Sequence, residues 1–164
     1  MSIKHLWAPW RMEFIKDPKK AGCVFCDLPK ENDDKKNLIL HRGEKAYVIL
    51  NKYPYNNGHL MIVPYRHEKD FDSLVPDEGN ELFGLAQKAY GVLRTALSPE
   101  GYNLGMNLGV SGGAGIRDHL HLHIVPRWNG DTNFMPVLAD VKSVPQHLST
   151  SYDELETGFR RLKE

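Results

Sequence analysis

The sequence predicts an α+β domain built on an antiparallel sheet. Two observations support this: five short segments have strand-like composition and are separated by turn residues, and one long segment has the apolar spacing of a helix. The chain has 164 residues and 41% hydrophobic content, which suffices for one domain with its own core. We therefore treat 1–164 as a single domain.

The five strand-like segments are separated by turns and loops. The first two are joined by a turn at 42–45, and the third follows a loop at 51–58 and is ended by Pro64. The predicted strands are 37–41, 46–50, 59–63, 102–108 and about 120–126.

Two helices are predicted. Apolar residues at helical spacing indicate one long amphipathic helix over roughly 77–97, with Asp77 suited to its N-terminus and Pro99 blocking its continuation. A short C-terminal helix is predicted over 152–162, within the segment 150–164. Residues 1–30 form an irregular arm, whose aromatic residues we expect to pack on the body or on a partner subunit. They are Trp7, Trp10 and Phe14.

Composition restricts the classes of partner. The 21 basic and 21 acidic residues balance, which gives no global field for nucleic acid and argues against a nucleic-acid partner. No apolar run approaches the ~20 residues that a membrane span needs. The opening residues lack the apolar core of a signal peptide, so we expect a cytoplasmic protein without membrane contact.

The stretch 119–125 carries the strongest chemical signal. His119, His121 and His123 alternate with apolar residues, and alternate side chains of a strand point to the same face. Three imidazoles on one face offer a nucleophile, an acid, a base or a metal ligand a few ångströms apart. The alternative is an accidental cluster on an exposed strand face.

Cys23 and Cys26 form a Cys-x-x-Cys pair. Such a pair can be redox-active or half of a zinc site, and a structural disulfide is disfavoured in a cytosolic chain. A thioredoxin-like site expects a strand before the motif and a helix after it, whereas here Gly22 precedes it and Pro29 follows closely. Two reduced thiols in a metal-free protein remain the alternative.

The chain resembles the histidine triad (HIT) family, whose signature His-φ-His-φ-His-φ-φ is complete at 119–125. The glycine-rich run 112–115 stands in the place of the family's phosphate-facing loop. The run 126–131 is similar to the Pro-Arg-x-x-Gly-Asp motif of the Fhit-type branch, and 7–12 and 133–136 are similar to bacterial diadenosine tetraphosphate phosphorylase-like members. The resemblance spans about 7–148.

This resemblance implies a HIT fold, with a five-stranded antiparallel sheet, one long helix and a homodimer that joins two sheets. It also implies attack on the α-phosphate of a nucleotide. His121 would be the nucleophile and His123 would donate to the phosphoryl oxygens, while His119 or a backbone carbonyl would hold the His121 ring in its reactive tautomer.

The resemblance also implies substrate contacts at matching positions of this chain. Asn51 matches a ribose-binding residue and His59, eight residues later, a phosphate-side residue. Met61 shares a face with His59 and would line the base pocket. A turn-former at Asn51 and ordinary core at Met61 are the structural alternatives.

The loop before the triad would offer backbone N–H groups to phosphate at Gly113 and Gly115. Many HIT hydrolases carry Gln and Ser or Thr there, whereas this chain has Gly115 and Ile116. This departure leaves room for another acceptor such as inorganic phosphate. Side chains that could substitute are Asn107, Ser111 and Arg117.

The resemblance also implies a structural zinc ion. Bacterial HIT proteins often pair a Cys-x-x-Cys with the His of a Pro-x-x-His turn and with the first triad His. The matching residues are Cys23, Cys26, His67 and His119. Such a site would tie the N-terminal segment to the triad strand, and no organic cofactor is expected.

Three functions follow from these observations. The first is a nucleotidyl hydrolase or transferase that cleaves dinucleoside polyphosphates through a nucleotidyl-histidine, by hydrolysis or by phosphorolysis. The second is a Hint-type nucleoside phosphoramidase, although the Gly-Gly-Arg-type ending of those proteins is missing here. The third is a non-catalytic nucleotide-binding module, against which the complete triad argues.

Overall fold

The computed structural model describes residues 22–133, 138 and 144–162. The predicted packing of Trp7, Trp10 and Phe14 therefore lies outside the described residues. The phosphorylase-like run at 133–136 lies outside them as well, except for Asn133.

Five strands form one antiparallel sheet, which confirms the predicted fold class. They are β1 (Ile39–Arg42), β2 (Ala46–Leu50), β3 (Leu60–Pro64), β4 (Gly101–Gly105) and β5 (Leu122–Arg127). Their order across the sheet is β1-β2-β3-β5-β4. The triad strand β5 therefore lies between β3 and β4.

The largest differences from the predicted strand boundaries are in β1, β4 and β5. Leu38 adopts a left-handed backbone with φ of 61°, so β1 begins at Ile39 rather than at 37. β4 ends at Gly105 instead of continuing to 108. The triad strand begins only at Leu122, because the Leu120 N–H donates to the Glu68 carbonyl at 2.7 Å instead of to a neighbouring strand.

Three α-helices are present in the described part of the chain: α1 (Val24–Asp27), α2 (Pro76–Leu97) and α3 (Leu148–Arg161). Short 3-10 turns occupy Leu28–Glu31 and Phe71–Ser73. The prediction of an irregular arm over 1–30 is therefore wrong for its described end, which α1 and the first of these turns occupy. The long helix α2 starts one residue earlier than predicted, with Pro76 in its first turn and the Glu78 carboxylate accepting the Val75 N–H at 3.2 Å. α3 begins at Leu148, four residues before the predicted start at 152.

The two faces of the sheet are covered differently. One face packs against α2 and α3, and this core contains Leu122 and Ile124 of the triad strand. The opposite face carries a smaller apolar cluster that Phe25 of α1 joins. The cluster comprises Phe25, Ile39, Tyr47, Ile49, Met61 and Val63. None of the helices in the described part of the chain has the length and apolar character to cross a lipid bilayer.

The packing of α3 on α2 generates a test of the fold. A Cβ at Gly158 would lie 2.6 Å from Cγ1 of Val92, whereas a Cβ at Gly84 would meet nothing within 4 Å. We expect Gly158→Ala to lower the free energy of unfolding by about 1–2 kcal/mol through overpacking. Gly84→Ala should raise it by up to about 1 kcal/mol through helix propensity. Urea unfolding measures both, and stabilisation by both variants would contradict this packing.

Candidate active site and metal centre

The three triad histidines lie on the side of the sheet opposite α2: His123 is in β5, while His119 and His121 precede the strand and contact Phe25 of the apolar cluster on that side. His123 lies across from Met61 of the apolar cluster, while Leu122 and Ile124 enter the core under α2. The rings of His121 and His123 have centroids 4.7 Å apart. All three side chains are buried, so their hydrogen bonds decide which nitrogen is reactive.

His121 is held in one tautomer by the backbone. Its Nδ1–H donates to the carbonyl oxygen of His119 at 2.9 Å, and a carbonyl can only accept, so the second nitrogen, Nε2, is bare. No hydrogen bond to Nε2 exists within the described residues. Burial lowers the pKa of His121, although the bond to the carbonyl opposes this shift. A neutral imidazole with a bare Nε2 is competent as a nucleophile.

His123 receives its tautomer from His59. The backbone N–H of Tyr55 donates to Nδ1 of His59 at 3.0 Å, so the neutral His59 ring carries its proton on Nε2. That Nε2–H donates to Nδ1 of His123 at 2.9 Å. His123 therefore carries its own proton on Nε2.

The Nε2–H of His123 is a hydrogen-bond donor without a partner in the described part of the chain. The atom is buried and has no hydrogen-bond partner within the described residues. Burial lowers the pKa of His123 to about 4, and repulsion between the protonated forms of His121 and His123 adds to this shift. A buried donor without a partner costs about 1–3 kcal/mol, so its position favours a ligand acceptor such as a phosphoryl oxygen.

The predicted nucleoside contacts are grouped around His59. The Asn51 amide nitrogen lies 3.3 Å from Nδ1 of His59, and its oxygen accepts the Tyr53 N–H at 2.9 Å. His59 is fully buried, and it contacts the triad through the Nε2–H that it donates to Nδ1 of His123. Met61 is 7% exposed within the apolar cluster. Their substrate roles remain predictions.

The loop before the triad is a tight, mostly exposed turn. The Gly113 N–H donates to the Val110 carbonyl at 3.0 Å, and Gly113 has a left-handed φ of 83°. Asn107 is half-buried, and Gly115 and Arg117 are exposed. Among the described residues, no hydrogen bond joins this loop to a triad histidine, so its contacts with phosphate remain predictions.

The predicted metal ligands come together. One ligand atom from each of Cys23, Cys26, His67 and His119 lies within 4.8 Å of the others. Nδ1 of His119 is 3.3 Å from the Cys23 sulfur and 3.5 Å from the Cys26 sulfur, and Nδ1 of His67 is 3.3 Å from the Cys26 sulfur. These four residues could hold a metal ion.

The donor set and its orientation fit zinc. Tetrahedral zinc with nitrogen and thiolate ligands at 2.0–2.3 Å places neighbouring donor atoms roughly 3.3–3.8 Å apart. Nε2–H of His119 donates to the Pro64 carbonyl at 2.8 Å, which turns the bare Nδ1 toward the two sulfurs. Such a bond to the second ring nitrogen is the usual support of a metal-bound imidazole.

Comparisons with known proteins identify the family of this chain. A model of the HIT domain family matches residues 32–130. The chain belongs to the HIT family. A Mycobacterium tuberculosis protein named AP-4-A phosphorylase is 38% identical over 168 residues, covering 97% of this chain and 86% of that protein.

Solved HIT structures share the fold. A hypothetical histidine triad nucleotide-binding protein from Sulfolobus tokodaii is 27% identical with a TM-score of 0.67, and the match covers 85% of this chain and 90% of that one. A zinc-bound histidine triad family protein from Mycobacterium smegmatis superposes with a TM-score of 0.70 at 24% identity, over 87% and 96% of the two chains.

The Pro-Arg-x-x-Gly-Asp run of this HIT chain has a structural role. Arg127 contacts the Asp131 carboxylate through two nitrogens, at 2.6 and 3.0 Å. The Asn56 amide donates to Asp131 at 2.8 Å and to the Pro126 carbonyl at 3.0 Å. The motif therefore ties the loop that contains Asn51 and Tyr55 to the end of the triad strand.

Two residues of the site were not predicted from the sequence. Phe25 packs against His121 with ring centroids 5.1 Å apart, and Tyr55 packs against His59 at 4.5 Å. Phe25 stands in the middle of the Cys-x-x-Cys motif, so its closeness to the metal ligands was foreseeable. Nothing in the sequence signals the position of Tyr55.

The lowered pKa of His123 predicts a pH-dependent stability. Its folded pKa is about 4, against an ordinary value of 6.5, so between these values the unfolded chain binds a proton that the folded chain does not. The free energy of unfolding should therefore fall as pH drops from 6.5 to 4, by up to about 3 kcal/mol for this side chain.

Urea unfolding of wild type and His123→Asn across this range measures the contribution. The variant should lose correspondingly less stability, while the slope from His119 and His121, whose pKa values are also lowered, remains. Equal losses in the two proteins would contradict the assignment.

Proposed function

We propose that this chain cleaves dinucleoside polyphosphates at the α-phosphorus through a nucleotidyl-His121 intermediate and transfers the nucleotidyl group to inorganic phosphate. One pair of atoms carries the proposal. The bare Nε2 of buried, neutral His121 lies beside the partnerless Nε2–H of His123, and their rings are 4.7 Å apart. A nucleophile next to a hydrogen-bond donor suits attack on a phosphoryl group.

In the first step the lone pair of His121 Nε2 forms a bond to the α-phosphorus. The bond from phosphorus to the bridging oxygen breaks, and the leaving nucleotide departs with that electron pair. His123 donates to a non-bridging oxygen as charge develops there. The His119 carbonyl stabilises the imidazolium character of His121, because it keeps accepting the Nδ1–H at 2.9 Å.

In the second step an oxygen of inorganic phosphate forms a bond to the same phosphorus. The phosphorus–nitrogen bond breaks, and its electron pair returns to Nε2. With diadenosine tetraphosphate the products are ATP from the first step and ADP from the second. Phosphate is favoured over water because the 38% identical relative is named a phosphorylase. The loop before the triad also lacks the Gln and Ser or Thr of many HIT hydrolases, having Gly115 and Ile116.

Product analysis with diadenosine tetraphosphate tests this function. Wild type should yield ADP plus ATP only when inorganic phosphate is present, and His121→Ala should lower the rate at least about a thousandfold by removing the nucleophile. The exposed His147 provides a control, since His147→Ala should retain activity. AMP plus ATP without phosphate would indicate a hydrolase, and activity that survives in His121→Ala would refute the nucleophile.

We also propose that the Cys23, Cys26, His67 and His119 cluster holds zinc in a closed structural site. Four protein ligands leave no open position for substrate, and thiolate with imidazole is a donor set that zinc prefers. Zinc would supply rigidity here, holding α1 against the chain that leads into the triad strand.

Metal analysis of the purified protein should find about one zinc ion per chain. Cys26→Ser should lower the content strongly, whereas His147→Ala should not. At a zinc concentration 100-fold above Kd, the free energy of unfolding should be about 3 kcal/mol higher than after a chelator has removed the zinc. Wild type that binds no zinc, or an unaltered content in Cys26→Ser, would contradict the site.

We further propose a homodimer through the free side of β4. No described strand pairs with that side, and Leu104 on it is half exposed. Tyr90 of α2 packs against neighbouring Tyr102, with ring centroids 4.3 Å apart and an interplanar angle of 45°, and extends the apolar surface. An open edge with apolar residues favours pairing with a second chain.

Analytical ultracentrifugation tests this interface. Wild type should sediment as a dimer, and Leu104→Glu should sediment as a monomer because it places a charge on the apolar surface. Equal masses of the two proteins would refute this interface.

A further inference from the structure

One aromatic ring contacts both halves of the proposed site. Phe25 lies between the two cysteines and is 2% exposed. Its centroid is 5.1 Å from that of His121 at an interplanar angle of 53°, and 5.6 Å from that of His119 at 78°. Both distances lie in the range of favourable ring contacts.

The sheet holds Phe25 independently of the four ligands. Tyr47 lies in β2, is fully buried, and its hydroxyl donates to the Phe25 carbonyl at 2.8 Å. A buried hydrogen bond of this kind contributes about 1 kcal/mol and sets the distance between two segments. The position of α1 is therefore fixed by the hydrogen bond from Tyr47 in the sheet as well as by the two cysteines.

The His121 ring needs a neighbouring group that limits its tilt. Its Nδ1 is restrained by the His119 carbonyl, but one hydrogen bond leaves the ring free to tilt about the donor. His123 lies on one side, with centroids 4.7 Å apart, and Phe25 lies against the ring as well. Tilting would move Nε2 off the line of attack, and small misplacements of a reacting atom are costly in rate.

We propose that Phe25, held in place by the Tyr47 hydroxyl, is a positioning residue that keeps the His121 imidazole aligned for attack. The inference rests on the proposed function, since it assigns Phe25 a role through the nucleophile. Phe25 acts on the orientation of His121, so its loss should lower the rate of the covalent step and leave substrate affinity nearly unchanged.

Three conservative variants test the proposal. Phe25→Leu keeps an apolar side chain but removes the ring, and Tyr47→Phe removes only the hydroxyl. Tyr152→Phe is the matched control, because the Tyr152 hydroxyl makes a similar buried bond to the Ile39 carbonyl, at 2.9 Å. Should Phe25→Leu fail to fold, the two tyrosine variants still decide the question.

Rapid mixing with diadenosine tetraphosphate measures how fast the nucleotidyl-histidine forms. We expect about a tenfold slower step in Phe25→Leu and a several-fold slower step in Tyr47→Phe, with KM within about threefold and zinc content unchanged. Tyr152→Phe should remain within about twofold. A raised KM with unchanged kcat, a rate loss that parallels zinc loss, or an equal loss in Tyr152→Phe would overturn the proposal.

A second readout needs no substrate and separates the two failures. In ¹⁵N-edited NMR of the zinc-loaded protein, the Nδ1–H of His121 should give a protected signal in wild type and Tyr152→Phe. The signal should be broadened or lost in Phe25→Leu and Tyr47→Phe. If wild type forms no intermediate, the proposed function fails, and this signal alone then decides whether Phe25 orients His121. An unchanged signal in both site variants would refute the positioning role.

Discussion

The candidate site depends on the three hydrogen-bonding groups of His119. Its Nδ1 lies 3.3 and 3.5 Å from the two cysteine sulfurs, its Nε2–H donates to the Pro64 carbonyl at 2.8 Å, and its own carbonyl accepts the Nδ1–H of His121 at 2.9 Å. Each contact restricts a different freedom of the residue: the ring's tautomer, its rotation, and the direction of the backbone. Displacement of His119 would therefore disturb the metal ligands and the proposed nucleophile together.

Burial makes neutral imidazoles useful on this face. Burial removes the hydration that a charged imidazole needs, so desolvation lowers the pKa of His119, His121 and His123 alike. A neutral ring has one donor and one acceptor nitrogen, and neighbouring groups then select which is which. The carbonyl of His119 leaves His121 an acceptor, while Tyr55 acting through His59 makes His123 a donor. Opposite roles thus arise on adjacent rings from hydrogen bonds alone.

Much of this arrangement follows from local sequence patterns, which depend on near neighbours. Alternation over 119–125 correctly indicated the shared face, and helical spacing located the long helix to within a residue. The extent of the triad strand was wrong because Leu120 bonds to Glu68, a partner more than fifty residues away. The contact of Phe25 with His121 requires the strand order β1-β2-β3-β5-β4, and the Tyr47 bond requires α1 to fold over β2. Such contacts between distant segments leave no trace in local periodicity.

The division of the sheet into two faces explains how a small domain tolerates a polar site. The face under α2 and α3 buries the larger apolar core, which supplies most of the stability. The opposite face carries buried histidines and a smaller apolar cluster, where one donor, the Nε2–H of His123, has no partner within the described chain. That donor lowers stability when no ligand is bound, and in the proposed reaction it would donate to a phosphoryl oxygen. Because β5 contributes Leu122 and Ile124 to one face and His123 to the other, the larger core directly supports the strand that carries this unpartnered donor.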